Sequence, residues 1–162
     1  MIESHPLSCI QELMLAYSTQ FGFGASAWNQ QIFFELALVD EERIASVLLD
    51  IGKRHDILRT SLAVVDGSHR QCTAELGLPL EHRSLSGTRE EVSAAEIGRP
   101  FDLLRAPLWR SAIISRPDCS GTLIVTFNHL LADRQSDRLF AREFLQRYDI
   151  RDSVSPPAPA PH

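Results

Sequence analysis

The sequence has few of the features that mark disulfide-rich, metal-binding or nucleic-acid-binding proteins. It contains only three cysteines among 162 residues, and Cys9, Cys72 and Cys119 lie far apart, with no C-x-x-C pair. An odd, scattered set argues against a disulfide framework and against a structural zinc site. The 16 basic residues are outnumbered by 21 acidic ones, which disfavours nucleic acid and anionic membrane surfaces as partners. We therefore expect reduced thiols, no metal site and no nucleic-acid partner.

Long apolar runs are also missing. No window reaches the roughly 18 apolar residues that a membrane-spanning helix requires, and the first residues lack the basic segment of a secretory signal. We therefore expect a cytoplasmic protein with no membrane partner. A chain of 162 residues that is 44% hydrophobic can bury the core of one domain. We place that domain at residues 1–150 and expect residues 151–162, rich in proline and alanine, to form a disordered tail or linker.

Helical periodicity and capping signals define four helical segments. Ser8 with Gln11 and Thr88 with Glu91 each have the spacing of a capping box, and Asp40 is a suitable N-cap. Apolar residues recur at helical spacing after Ser8 and after Asp40, and again over residues 139–145, whereas Gly98 and Pro100 end the segment that begins at Thr88. The pattern predicts helices over residues 9–18, 40–55, 88–97 and 136–148.

Short β-branched and aromatic runs alternate with these helices. They predict strands over residues 28–38, 61–65, 69–74, 80–83, 108–115 and 122–127. Asp66 and Gly67 supply the positive φ angles of a tight hairpin turn, whereas Pro100 and Pro107 make the segment over residues 99–110 irregular. The order predicts an α+β fold, a two-layer α/β sandwich with a largely antiparallel mixed sheet of about five or six strands.

A histidine and an aspartate four residues apart follow the last predicted strand. His129 should leave the sheet where the apolar run ends, with Asp133 close behind it. A histidine in such a place can move a proton to or from a reacting amine or hydroxyl. The alternative is a structural histidine whose ring is satisfied by a local carboxylate. The spacing alone does not separate the two interpretations.

Four motifs occur in one order along the chain. They have the form P-L-S-x-x-Q at residues 6–11, R-H-D-I-L-R-T at residues 54–60, P-F-D-L followed by A-P-L-W-R within residues 99–110, and N-H-L-L-A-D-R at residues 128–134. This succession resembles the N-terminal half of a condensation domain of nonribosomal peptide synthetases, in the chloramphenicol acetyltransferase-like superfamily. The resemblance covers about residues 5–149, and the last motif is similar to the H-H-x-x-x-D-G pattern of that family.

The resemblance implies an activity and roles for named residues. Such domains join an acyl or peptidyl thioester, carried on the phosphopantetheine arm of a carrier protein, to an amine or hydroxyl acceptor. By resemblance, His129 positions or deprotonates the acceptor. Asp133 is structural, a carboxylate held by an arginine, with Arg59 as a possible partner; the alternative for Arg59 is a solvated arginine at a helix end. No bound cofactor or metal is implied, and the partners are carrier proteins and the C-terminal half or other assembly-line domains.

Three departures from the family pattern leave alternatives open. Asn128 stands where the family usually has histidine, and Arg134 stands at the motif glycine, where a long side chain would crowd the substrate. The chain also supplies one of the two lobes between which such sites lie, so we expect the isolated chain to be inactive. The alternatives are a non-catalytic docking module of an assembly line and a homo-oligomeric acyltransferase with its site between subunits. A free lobe should also expose an apolar face that permits self-association.

Overall fold

A computed structural model describes residues 4–21, 25–75 and 80–148. This part of the chain has four α-helices and seven strands, joined in places by 3₁₀ turns at Ala25–Trp28 and Asp56–Arg59. The strands are β1 Ser4–Pro6, β2 Asn29–Leu36, β3 Thr60–Val65, β4 Ser68–Thr73, β5 His82–Ser84, β6 Trp109–Ser115 and β7 Gly121–Asn128. The helices are α1 Cys9–Phe21, α2 Glu41–Arg54, α3 Arg89–Gly98 and α4 Arg134–Tyr148. The tail predicted at residues 151–162 lies outside the described residues.

The strands form two sheets, and most of their pairings are antiparallel. One sheet has the order β1-β4-β3 and the other the order β2-β7-β6-β5, in which only β5 and β6 run parallel. The predicted α+β class with a largely antiparallel sheet is thus confirmed. The expectation of one sheet with five or six strands is wrong, because the β3–β4 hairpin pairs with β1 instead of joining the larger sheet. β1 has three residues and ends in Pro6, and so short an edge strand gives almost no sequence signal.

Local signals fix the turns and helix starts. Asp66 and Gly67 adopt φ angles of 50° and 76° in the β3–β4 turn, as predicted. The Asp40 carboxylate accepts a hydrogen bond from the backbone of Arg43 at the start of α2, and the capping box of Thr88 begins α3. α4 begins two residues earlier than predicted, at residue 134, because an aspartate outside the apolar pattern caps it.

The main core lies between the larger sheet and two helices. Leu48 of α2 and Phe144 of α4 are fully buried against this face of the sheet, together with Phe127 of β7. α3 covers the opposite face through Val92, which packs with Ile124, and so adds a third layer to the predicted two. β7 is therefore enclosed on both faces and paired on both edges. Its C-terminal end is a rigid support for the residues that follow.

None of the helices in the described residues is both long and apolar enough to cross a bilayer.

Candidate active site

β7 delivers His129 to the surface at the end of the sheet. All eight residues of the strand are buried, whereas the His129 side chain is exposed. The His129 backbone N–H donates to the carbonyl of Trp28 at 2.7 Å, which ties His129 to the residue that precedes β2. The next residue, Leu130, is buried with Met14 and Leu62 beneath α1. The imidazole therefore emerges from a turn whose neighbours on both sides are anchored.

Asn128 holds this turn from inside. Its side chain is completely buried, and its Oδ1 accepts the backbone N–H of Leu130 at 3.1 Å. Its Nδ2 donates to Oδ1 of Asn29 at 3.3 Å, and its carbonyl accepts from Leu131 at 3.0 Å. An amide can donate and accept at once. The residue that departs from the family histidine thus supplies a structural hydrogen-bond pair at this position.

A backbone carbonyl determines which nitrogen of His129 carries the proton. Nδ1 lies 2.6 Å from the carbonyl oxygen of Ala132. Because a carbonyl oxygen only accepts hydrogen bonds, Nδ1 must be the donor, and in the neutral ring Nε2 then holds the lone pair. In the neutral ring, Nε2 is thus the nitrogen that can accept a hydrogen bond.

Asp133 caps α4. Its Oδ1 accepts hydrogen bonds of 2.8 Å from both the backbone N–H and the hydroxyl of Ser136. These two bonds hold the pKa of the Asp133 carboxyl below its usual range. Arg134 follows as the first residue of α4 and is exposed. The structure therefore gives Asp133 the role of a helix cap in place of the arginine pairing that the resemblance suggested.

Arg59 lies elsewhere and makes a different set of contacts. Its guanidinium donates to the carbonyls of Gly52, Lys53 and Ala74, and it forms a 2.7 Å ion pair with Asp56. The suggested pairing with Asp133 is therefore replaced by contacts at the end of α2. The alternative of a solvated arginine also fails, because the Arg59 side chain is only 13% exposed.

Two residues beside His129 had not been anticipated. Nε2 of Gln30 donates to the carbonyl of Ala132 at 2.8 Å and to Oδ1 of Asp137 at 3.1 Å. Burial raises the pKa of the Asp137 carboxyl to about 6; the charges of His129 and Arg134 oppose this increase, and that of Asp133 adds to it. The only signal in the sequence was the polar run at residues 29–31 within a predicted strand.

A cavity of about 190 Å³ adjoins this cluster between α4 and the end of α2. Its walls are mainly apolar, including Phe127, Leu131 and Phe140, and Asp137 is part of the lining. Nε2 of His55 lies 2.6 Å from a carboxylate oxygen of Glu143, and both residues also line the cavity. Within residues 4–21, 25–75 and 80–148, no group of histidine, cysteine and acidic side chains could hold a metal ion.

The candidate site is thus an exposed imidazole that directly follows a buried strand of an α+β domain. A family model described as Condensation domain matches residues 1–162. The chain belongs to the condensation-domain family, which confirms the resemblance.

The relatives in this family are peptide synthases. The chain is 28% identical over 151 residues to tyrocidine synthase 3 of Brevibacillus parabrevis, a match that covers 93% of this chain and 2% of that protein. It is 26% identical over 145 residues to gramicidin S synthase 2 of Aneurinibacillus migulanus, covering 89% of this chain and 3% of that protein. A plipastatin synthase protein of Bacillus subtilis (strain 168) is 29% identical over 153 residues, which are 93% of this chain and 6% of that protein. The chain thus spans a small fraction of the length of these relatives.

Solved structures share the fold. The condensation domain of monacolin K polyketide synthase matches with a TM-score of 0.78 at 19% identity, over 94% of this chain and 36% of that one. The starter condensation domain of rhizomide synthetase matches with a TM-score of 0.76 at 18% identity, over 90% of this chain and 39% of that one. An epimerization domain of tyrocidine synthetase also matches, with a TM-score of 0.74 at 24% identity, over 91% of this chain and 35% of that one. The fold alone therefore does not distinguish condensation from epimerization.

Proposed function

We propose that the chain is the N-terminal half of a condensation domain in nonribosomal peptide or hybrid polyketide biosynthesis. In this proposal it joins a carrier-bound acyl or peptidyl thioester to an amine or hydroxyl acceptor, and carrier proteins present the substrates on phosphopantetheine. The observation that carries the proposal is the exposed His129 ring in a member of this family, with Nδ1 held by the carbonyl of Ala132. That arrangement leaves Nε2 to meet the acceptor.

The proposed step needs one base at one position. The acceptor nitrogen attacks the thioester carbonyl carbon, a C–N bond forms, and the C–S bond breaks as the thiolate leaves. The attacking nitrogen becomes acidic as its bond forms, so Nε2 of His129 accepts its proton and returns it to the departing sulfur. With a hydroxyl acceptor, the same proton transfer gives an ester.

A second half must complete the walls around His129. The matches to solved condensation domains cover 36% and 39% of those chains, so most of each known domain lies outside the matched part. α1 also exposes apolar side chains, with Ile10 at 71% and Leu13 at 56% exposed, and such a stripe supports a covering surface. We propose that residues 1–150 form this half and that residues 151–162 are a tail or a linker.

The direct test is amide formation by the isolated chain. We expect no product from an acyl-carrier thioester and an amine when the purified chain acts alone, because an open site lacks positioning and preorganised charge. Mass spectrometry of the product is the measurement, with His129→Ala as the control. Turnover by the chain alone that disappears in His129→Ala would contradict the need for a second half.

A docking module without catalysis is the second candidate. The observation that favours it is the exposed cationic Arg134 at the position where the resemblance places glycine. In the parent assembly line, His129→Ala leaves product formation unchanged if the chain only docks, whereas deletion of the whole half abolishes it. If the chain is part of the enzyme, both changes stop product formation.

A homo-oligomeric acyltransferase is the third candidate, and the exposed Ile10 and Leu13 on α1 are the observation behind it. Sedimentation of the purified chain distinguishes it, because this candidate requires a concentration-dependent oligomer. Replacing Ile10 and Leu13 by serine should then yield monomers. A wild-type chain that is already monomeric at high concentration eliminates this candidate.

A further inference from the structure

The side chain of Gln30 connects two parts of the His129 turn. Its amide nitrogen donates one hydrogen to the carbonyl of Ala132 and the other to Oδ1 of Asp137. The same carbonyl accepts from Nδ1 of His129. A carbonyl oxygen has two lone pairs, and both are occupied here. The carbonyl that fixes the imidazole is therefore itself fixed from β2.

The elements that carry these groups are held together. β2 pairs with β7 along eight residues, in a register that places Gln30 opposite Phe127, two residues before His129. Asp137 lies in the first turn of α4, and its backbone N–H donates to the carbonyl of Asp133. The Gln30 side chain is thus attached to a rigid, paired strand, and its amide nitrogen donates to an acceptor whose position is fixed. Without that acceptor, the amide could rotate away from Ala132.

We propose that Gln30 and Asp137 are positioning residues for His129. Asp137 orients the Gln30 amide, Gln30 holds the Ala132 carbonyl in place, and that carbonyl keeps the proton on Nδ1 and the lone pair on Nε2. The use of Nε2 as a base rests on the proposed function. The hydrogen-bond relay itself is a property of the chain and can be tested without substrate.

The charge of Asp137 supports the same role. Its half-buried carboxyl has a pKa of about 6 and is affected by the charges of His129, Asp133 and Arg134; His55 and Glu143 line the same cavity. Above pH 6 it is mainly ionised. Because the charge of His129 lowers the pKa of Asp137, the two side chains interact through their charges.

The first test is the tautomer of His129, read from ¹⁵N chemical shifts of the imidazole ring in the full chain at pH 8. His129→Gln assigns the signal among the six histidines of the chain. We expect the Nδ1–H form in the wild type and in Asp137→Asn, which keeps an acceptor oxygen. Gln30→Leu and Asp137→Leu should shift the ring toward the Nε2–H form.

Gln31 provides a matched control on the same strand. Its side chain contacts Thr126 and Ser93, away from His129, so Gln31→Leu should leave the tautomer unchanged. If the leucine variants do not fold, Gln30→Met replaces them, because methionine keeps the length of glutamine but has no N–H to donate. An unchanged tautomer in folded Gln30→Leu, or in Gln30→Met, would overturn the proposal. An equal shift in Gln31→Leu would also overturn it.

The second test is the titration of Asp137, followed by ¹³C NMR of its carboxyl. His129→Gln removes a charge that lowers this pKa, so the midpoint should move above about 6. No movement would contradict the electrostatic part of the proposal. Neither measurement depends on amide formation, so an inactive assembly with an intact tautomer would count against the proposed function alone.

Discussion

Replacing Asp137 by asparagine should stabilise the folded chain above pH 6. Burial raises the pKa of this carboxyl from 3.8 to about 6, so the folded state resists its ionisation more than the unfolded state does. Asparagine keeps the oxygen that accepts from Gln30 but carries no charge. The variant therefore avoids the penalty of a half-buried carboxylate while it retains the hydrogen bond.

The magnitude of this stabilisation follows from the pKa shift of Asp137. About two pKa units correspond to about 3 kcal/mol for a completely buried group, at roughly 1.4 kcal/mol per unit. Asp137 is only half-buried, and solvent screening reduces this value to about 1–2 kcal/mol. An acidic residue in the first turn of a helix also gains about 0.3–1 kcal/mol from the helix dipole, which asparagine loses. The net stabilisation expected at pH 7.5 is therefore about 1 kcal/mol.

Urea denaturation between pH 4 and 8 measures this difference. Because the folded-state pKa is raised, the wild type loses stability as the pH increases from about 4 to 6. The stability difference between Asp137→Asn and the wild type should start near zero at pH 4, grow through this window and level off above pH 7. A difference that does not depend on pH, or a variant less stable at pH 8 than the wild type, would refute the reasoning.

Three further predictions concern the turn before α4 and the buried ion pair, 2.9 Å long, between Glu96 of α3 and Arg110 of β6. Glu96→Ala should cost about 3–5 kcal/mol in urea denaturation, because it removes the carboxylate that pairs with the buried guanidinium of Arg110. Glu90→Ala, an exposed change in the first turn of α3, should cost no more than about 1 kcal/mol, the contribution of a charge near a helix start. Asp133→Ala should lower the thermal midpoint at pH 7 by removing the α4 cap, and this effect should fade as the pH falls through the lowered pKa of the wild-type carboxyl. Arg134→Ala should raise the pKa of Asp137 in an NMR titration, because the guanidinium charge of Arg134 lowers that pKa. An unchanged pKa would show that the guanidinium lies too far from Asp137 to affect it.

Signals confined to a few neighbouring residues predicted the local structure well. α2 has its cap, apolar stripe and cationic end within one stretch of sequence, and Asp40 and Ile44 take the places that this pattern requires. The β3–β4 hairpin follows from the positive φ angles at Asp66 and Gly67 in the same way. β1 could not be predicted, because its stability comes from pairing with β4 about 66 residues later and not from its own three residues.

The candidate site likewise contains residues that local sequence predicted and residues that only the fold brings together. His129 was found because it follows a buried strand, and its neighbours along the chain carry the family motif. Gln30 lies 102 residues before Ala132, to which it donates, and only the register of β2 on β7 brings the two together. The paired Arg110 and Glu96 are also brought together by the packing of α3 on β6. Spacing within a motif cannot reveal such contacts.

The backbone at Arg134 bears on the choice between catalysis and docking. Among the described residues, the non-glycine positions with positive φ are Asp66 and Cys119, so residue 134 adopts helical geometry that does not itself require glycine. The expected crowding would therefore concern a substrate or a partner and not the fold of the turn. The turn that carries His129 is complete without glycine, with Asn128 beneath it and Asp133 capping the next helix. Any loss of activity caused by Arg134 should thus arise on the open side of His129, where the second half would pack.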